Sequence, residues 1–159
     1  MTVTNVEGFS ASGVASGIKS NKELDLALVA TEDRKPVSAA GVFTSNKMTA
    51  APVLVTIKHL QATGGFASAV VLNSGNANAA TGTQGLIDAE RMCQLTAQDL
   101  GCESSEVLVC STGWIGYPLP MEAVTYGIKN AIDSLGSEQG TTAAKAIMTT
   151  DTVPKNTFV

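Results

Sequence analysis

Two hydrophobic periods divide this chain, and that division limits its fold more than any other feature. In the first part, apolar residues run in short blocks: Leu24-Asp25-Leu26-Ala27-Leu28-Val29, then residues 39–44, 52–56 and 66–73. Each block is short, rich in β-branched or small apolar residues, and reads as a β-strand. The charged stretch Glu32-Asp33-Arg34-Lys35-Pro36 reads as a turn, so the first two blocks predict a hairpin. In the second part, Leu86, Ala89, Cys93, Ala97 and Leu100 recur at steps of three and four, as do Met121, Val124, Ile128, Ile132 and Leu135. That stepping puts each set on one face of a helix. Asp88 is placed in the first turn of the first helix and Gly101 just past its end; Pro120 and Gly136 bracket the second. Residues 106–110 form a further strand between these helices, and an alanine-rich third helix is predicted from Thr142 to Met148. Strands that precede and alternate with helices predict an α/β fold of the α+β layered kind.

The length of 159 residues fits one domain, 1–159. Hydrophobic residues make up 44% but aromatics only 4%, so the core is layered from small side chains. The net charge is −4 with no cluster of Lys or Arg, which argues against a nucleic-acid partner. No apolar run approaches the ~20 residues of a membrane span. The opening Met1-Thr2-Val3-Thr4-Asn5 has neither a basic nor an apolar leader segment. Cys93, Cys102 and Cys110 are odd in number and read as reduced thiols. A cytoplasmic protein is therefore expected. The cysteines match no zinc spacing, and the single histidine, His59, cannot complete a site, so no metal is expected.

The chemistry is concentrated where Val107-Leu108-Val109-Cys110 gives way to Ser111-Thr112-Gly113-Trp114-Ile115-Gly116. A turn of this kind bares donors to whatever lies above it. The N–H of Gly113 and the hydroxyl or N–H of Thr112 are suited to a developing oxyanion; the plainer alternative is ordinary turn chemistry at a strand end. It is not a nucleophile elbow, because Val109 rather than Gly stands two residues before Ser111. Cys110 has only His59 to activate it, and a buried free thiol at a strand end is its plainer reading. Asn73-Ser74-Gly75-Asn76-Ala77-Asn78-Ala79-Ala80-Thr81-Gly82 follows a strand and precedes a helix. It either cradles an anion or ligand in its amides or is a solvent-facing turn. Met148-Thr149-Thr150-Asp151-Thr152-Val153-Pro154-Lys155 gathers hydroxyls, a carboxylate and an ammonium, either for the polar ends of an amino-acid-like substrate or to end a helix. Lys47, in Thr44-Ser45-Asn46-Lys47, either meets a substrate carboxylate or is simply solvated.

Taken in order, these stretches resemble one family. Gly41-Val42-Phe43-Thr44-Ser45-Asn46-Lys47 with Ala50-Ala51-Pro52-Val53, then Asn73-Ser74-Gly75-Asn76-Ala77-Asn78 with Thr81-Gly82, look like its early turn and its Asn-rich loop. Cys110-Ser111-Thr112-Gly113 with Ile115-Gly116 and Leu119-Pro120-Met121, then Ala146-Ile147-Met148-Thr149-Thr150-Asp151-Thr152 with Pro154-Lys155, look like its oxyanion segment and substrate loop. The family is the ornithine acetyltransferases of the cyclic arginine pathway, often bifunctional as glutamate N-acetyltransferases. The resemblance runs from about Gly8 to Lys155. It implies a layered fold related to self-processing aminopeptidases and a precursor that cuts itself before a threonine. That threonine opens the β-chain and is the acyl-accepting nucleophile. N-acetylornithine donates acetyl and glutamate removes it, in ping-pong fashion. Carried over residue by residue, Thr112 and Gly113 form the oxyanion hole, and Thr149, with Thr150 as the neighbouring alternative, touches substrate. No cofactor is implied as bound, although acetyl-CoA is a candidate second acetyl donor. The nucleophile's segment lies beyond Lys155, so the resemblance implies an α-chain that needs its β-chain, as (αβ)2. A related self-processing amidohydrolase and a freestanding amino-acid or anion-binding domain are the competing expectations.

Overall fold

The computed structural model describes residues 2–157. Its centre is a four-stranded sheet in the order β1 (Phe9–Val14), β2 (Leu26–Thr31), β5 (Ala69–Asn73), β6 (Val107–Ser111). β2 lies antiparallel to both β1 and β5, while β5 and β6 run parallel. A parallel pair needs a crossover, and helix α2 (Gly82–Leu100) provides it. The register sets Leu28 beside Val71, Val71 beside Val109 and Asn73 beside Ser111.

Period-two alternation sorts the sheet's side chains onto two faces. Leu26, Leu28, Val71, Val107 and Val109 point to one face. There they meet Val55 of α1 (Ala51–Ala62), Ala89, Met92 and Cys93 of α2, and Val124, Ile128 and Ala131 of α3 (Met121–Asp133). Met92 is wholly buried, so its truncation to Ala should cost about 2–5 kcal/mol. Ala11 and Ala27 point the other way, against Ala143 and Ala146 of α4 (Gly140–Ala146). The α/β layering expected from the sequence is thus the observed architecture.

Individual elements depart from expectation for physical reasons. The block at residues 52–56, expected as a strand, is the start of α1, whose first turn carries Pro52. A proline near a helix start gives up only an N–H that would be unpaired there. The expected strand at 39–44 is irregular and exposed, with Val42 fully open to solvent. The hairpin partner of β2 is instead β1, whose Phe9-Ser10-Ala11-Ser12-Gly13 alternation is carried by residues too small to stand out as a strand. The block at 66–73 divides at Ser68. Phe66–Ala67 (β4) pairs with Val37–Ser38 (β3), and only Ala69–Asn73 joins the main sheet. Helix α2 begins at Gly82, so Asp88 lies in its interior, accepting from the Gln84 amide at 2.9 Å. Gly101 ends that helix as expected, with φ +78° and its N–H on the Ala97 carbonyl at 2.8 Å.

Candidate active site

The carboxyl ends of β5 and β6 lie side by side, and both chains turn there. The Thr112 N–H donates to the Asn73 carbonyl at 3.0 Å, and the Trp114 N–H donates to the Gly75 carbonyl at 3.3 Å. In return the Ala77 N–H reaches the Trp114 carbonyl at 2.9 Å, and the Gly116 N–H reaches Ala79 at 2.9 Å. The turn after β6 is therefore laced onto the Asn-rich loop after β5. Gly113 sits at the closest approach, with φ +131°; a Cβ there would lie 2.4 Å from the Gly75 carbonyl carbon. Only glycine tolerates both the angle and the contact.

The asparagines of that loop face inward. Asn73, Asn76 and Asn78 are 2%, 6% and 0% exposed, so the loop is not the solvent-facing turn the sequence allowed, and their Nδ2 groups brace the fold, a role neither sequence alternative contained. The Asn73 Nδ2 donates to the Asn76 carbonyl at 2.8 Å, and the Asn78 Nδ2 to the Gly85 carbonyl at 2.8 Å. The Asn76 Nδ2 donates to the carbonyls of Tyr117 at 3.3 Å and Pro118 at 3.1 Å, while its Oδ1 accepts the Asn78 N–H at 2.8 Å.

These bonds determine which donors stay free. The Thr112 N–H is occupied by Asn73. Among the described residues, the Gly113 N–H and the Thr112 hydroxyl have no acceptor. Both residues line a cleft of about 700 Å³. Thr149 and Thr150 line the same cleft, as do Gly75, Asn76, Trp114 and Tyr117. The fold thus brings together Thr112, Gly113, Thr149 and Thr150, from segments nearly forty residues apart. Trp114 and Tyr117 pack with ring centroids 5.7 Å apart and form one wall.

The threonine segment is held by two latches. The Ser74 hydroxyl donates to the Ala146 carbonyl at 2.6 Å, and the Lys19 ammonium donates to the Met148 carbonyl at 2.8 Å and to Leu24 at 3.1 Å. Lys19 is itself positioned by Asp25, a fully buried carboxylate. Asp25 accepts from the Ser16 N–H and hydroxyl, at 2.6 and 2.7 Å, and from the N–H groups of Gly17 and Lys19, at 3.1 and 2.9 Å. Neither Asp25 nor Lys19 is marked as a site residue by its local sequence. An aspartate interrupting the apolar alternation of Leu24-Asp25-Leu26 was the available sign.

Other candidates lie elsewhere. Cys110 follows the strand alternation to the face opposite Val109 and lines no part of the cleft; it is exposed, not the buried thiol the strand end suggested, although partial desolvation of its sulfur still pushes the thiol up. His59 is fixed between the Val107 carbonyl at 2.8 Å and Glu90 at 3.2 Å, at the far end of β6 from Cys110. Burial pushes the Glu90 carboxyl up, but Lys58 and His59 outweigh it and hold it below its ordinary value. Lys47 stands in an exposed turn outside the cleft. Asp151, paired with Lys155, is held low by that ammonium. Among the described residues, no three His, Cys, Asp or Glu side chains gather as a metal site, and no helix is long and apolar enough to cross a membrane.

This arrangement matches known proteins in both fold and sequence. The fold is that of ornithine acetyltransferase structures. It superimposes on the Mycobacterium tuberculosis ornithine acetyltransferase complexed with ornithine with a TM-score of 0.91 and 45% identity, over 96% of this chain and 81% of that one. It superimposes on the arginine biosynthesis bifunctional protein argJ of Bacillus halodurans with a TM-score of 0.87 and 40% identity, over 96% and 78%. The ArgJ family model matches residues 10–159, and the chain belongs to the ArgJ family. The arginine biosynthesis bifunctional protein ArgJ 1 of Clostridium acetobutylicum is 49% identical over 157 residues, 99% of this chain and 38% of that protein. Its counterpart in Caldanaerobacter subterraneus is 52% identical over 149 residues, 94% and 36%. The chain thus spans about two fifths of the length of the curated relatives it matches.

Proposed function

We propose that this chain is the α-chain portion, as one domain, of a two-chain acetyltransferase that moves acetyl from N-acetylornithine to glutamate. The nucleophile is a threonine that opens the companion β-chain, and the transfer passes through an acetyl-threonine. One observation carries the reading: Thr112 and Gly113, whose hydroxyl and N–H have no acceptor among the described residues, line the same cleft as Thr149 and Thr150. Acyl transfer builds negative charge on a carbonyl oxygen, and preorganised donors lower that barrier without reorganising. Thr149, with Thr150 beside it, binds the polar part of the acyl amino acid. Membership of the ArgJ family and the likeness to an ornithine acetyltransferase complexed with ornithine support acetyl transfer in arginine biosynthesis.

The chain works with its β-chain in an (αβ)2 assembly in the cytoplasm and holds no cofactor, acetyl-CoA being a free substrate where it is used at all. The test is a steady-state assay of the full-length enzyme with N-acetylornithine and glutamate, alongside its intact mass. Acetylglutamate formation and a second polypeptide beginning with Thr are expected. Hydrolysis that dominates whether or not glutamate is present would make it an amidohydrolase instead.

A further inference from the structure

Asn76 grips both ends of the turn that carries the Gly113 N–H and the Thr112 hydroxyl. Its backbone forms bridges to Thr112 and Trp114 at the near end. Its carboxamide donates to the Tyr117 and Pro118 carbonyls at the far end, at 3.3 and 3.1 Å. Its own geometry is fixed in turn: the Asn73 amide donates to its carbonyl at 2.8 Å, and its Oδ1 accepts the Asn78 N–H at 2.8 Å. The residue is only 6% exposed although it lines the cleft, so solvent competes little for these bonds. The direction of the Gly113 N–H depends on the plane of its peptide. That plane lies between amides tied to Asn73 and Gly75, with Gly113 pressed against the Gly75–Asn76 peptide.

We propose that Asn76 is a positioning residue for acyl transfer: by spanning residues 112–118 it aims the Gly113 N–H and the Thr112 hydroxyl at the oxyanion. The inference rests on the acyl-transfer reading of the cleft. It acts on the transition state, because a donor turned away from the developing charge weakens its stabilisation more than it weakens ground-state binding. A misplacement of about 1 Å is worth up to 10²-fold in rate.

The test uses the full-length enzyme and the first half-reaction, with N-acetylornithine and no glutamate. The burst of released ornithine reports two independent quantities: its amplitude counts folded active sites, and its rate constant reports acylation. Asn76→Ala removes the brace. Asn76→Asp keeps the shape and the acceptor for Asn78 but sets an oxygen against two carbonyls, and serves if the alanine variant folds poorly. Each is expected to keep its burst amplitude per folded protein while its rate constant falls about 10- to 100-fold, with the donor concentration at half-maximal rate unchanged within threefold. In a Thr112→Ala background the loss from Asn76→Ala should shrink, because both act through one turn. A rate constant equal to wild type, with only the amplitude reduced, would overturn the positioning role. A wild-type enzyme that gives no burst would overturn the acyl-transfer reading itself and the inference with it.

Discussion

The two walls of the cleft are built by different means. The Thr112–Gly113 wall is continuous with the sheet and cross-braced by buried asparagines at 2%, 6% and 0% exposure. The Thr149–Thr150 wall is exposed and hangs from two long-range latches, Ser74 to Ala146 and Lys19 to Met148. Under the proposed function, the braced wall would hold donors at the transition state and the exposed one would receive the amino-acid substrates. That division of labour predicts kcat effects on the first wall and KM effects on the second.

Substitutions can break that separation, and the largest effect belongs to the braced wall. In Gly113→Ala the added methyl meets the Gly75 carbonyl carbon at 2.4 Å at a φ of +131°. The turn must move with both its donors, so acetyl transfer should fall by at least the roughly 10²–10³-fold of a single lost donor. Far-UV circular dichroism should still show the folded sheet. Lys19→Met acts on the exposed wall. It leaves the Leu24 and Met148 carbonyls without their donor, so KM for N-acetylornithine should rise about three- to tenfold with kcat within about threefold. Urea unfolding should show a loss of about 1–3 kcal/mol. A kcat loss larger than the KM change would erase the difference between the walls. The smallest effect lies outside both. Glu90 is held below its ordinary value, so its contribution to stability is fully present above that value and is lost as pH falls through the lower folded one. Glu90→Gln should therefore flatten the loss of stability between about pH 5 and pH 3, by less than about 1 kcal/mol, and leave both kinetic constants alone.

What the sequence disclosed follows the same division. The helices with regular apolar stepping were legible because burial alone sets their period. The strand β1 was not, because its alternation rests on Ala, Ser and Gly, whose small side chains pack against α4 but carry little apolar signal. Residues 52–56 misled because β-branched side chains favour strands locally, while contact with the sheet stabilises α1 over the same residues. Thr112 and Gly113 were legible as a turn with donors to offer. The direction of the asparagine side chains was not, since the same residue types serve cradles and braces alike. Lys19 was invisible because its partner Met148 lies 129 residues away and only the tertiary fold joins them.

The most direct test is the kinetics of Thr112→Ala in the full-length enzyme, with Thr112→Ser as its companion. The hydroxyl of Thr112 is free while its N–H is held by Asn73. The expected result is a fall in kcat of about 10²–10³-fold with KM for N-acetylornithine nearly constant, and recovery of most of that loss by serine. A raised KM with kcat unchanged, or equal losses in the alanine and serine variants, would contradict the assignment of the oxyanion donor to this hydroxyl.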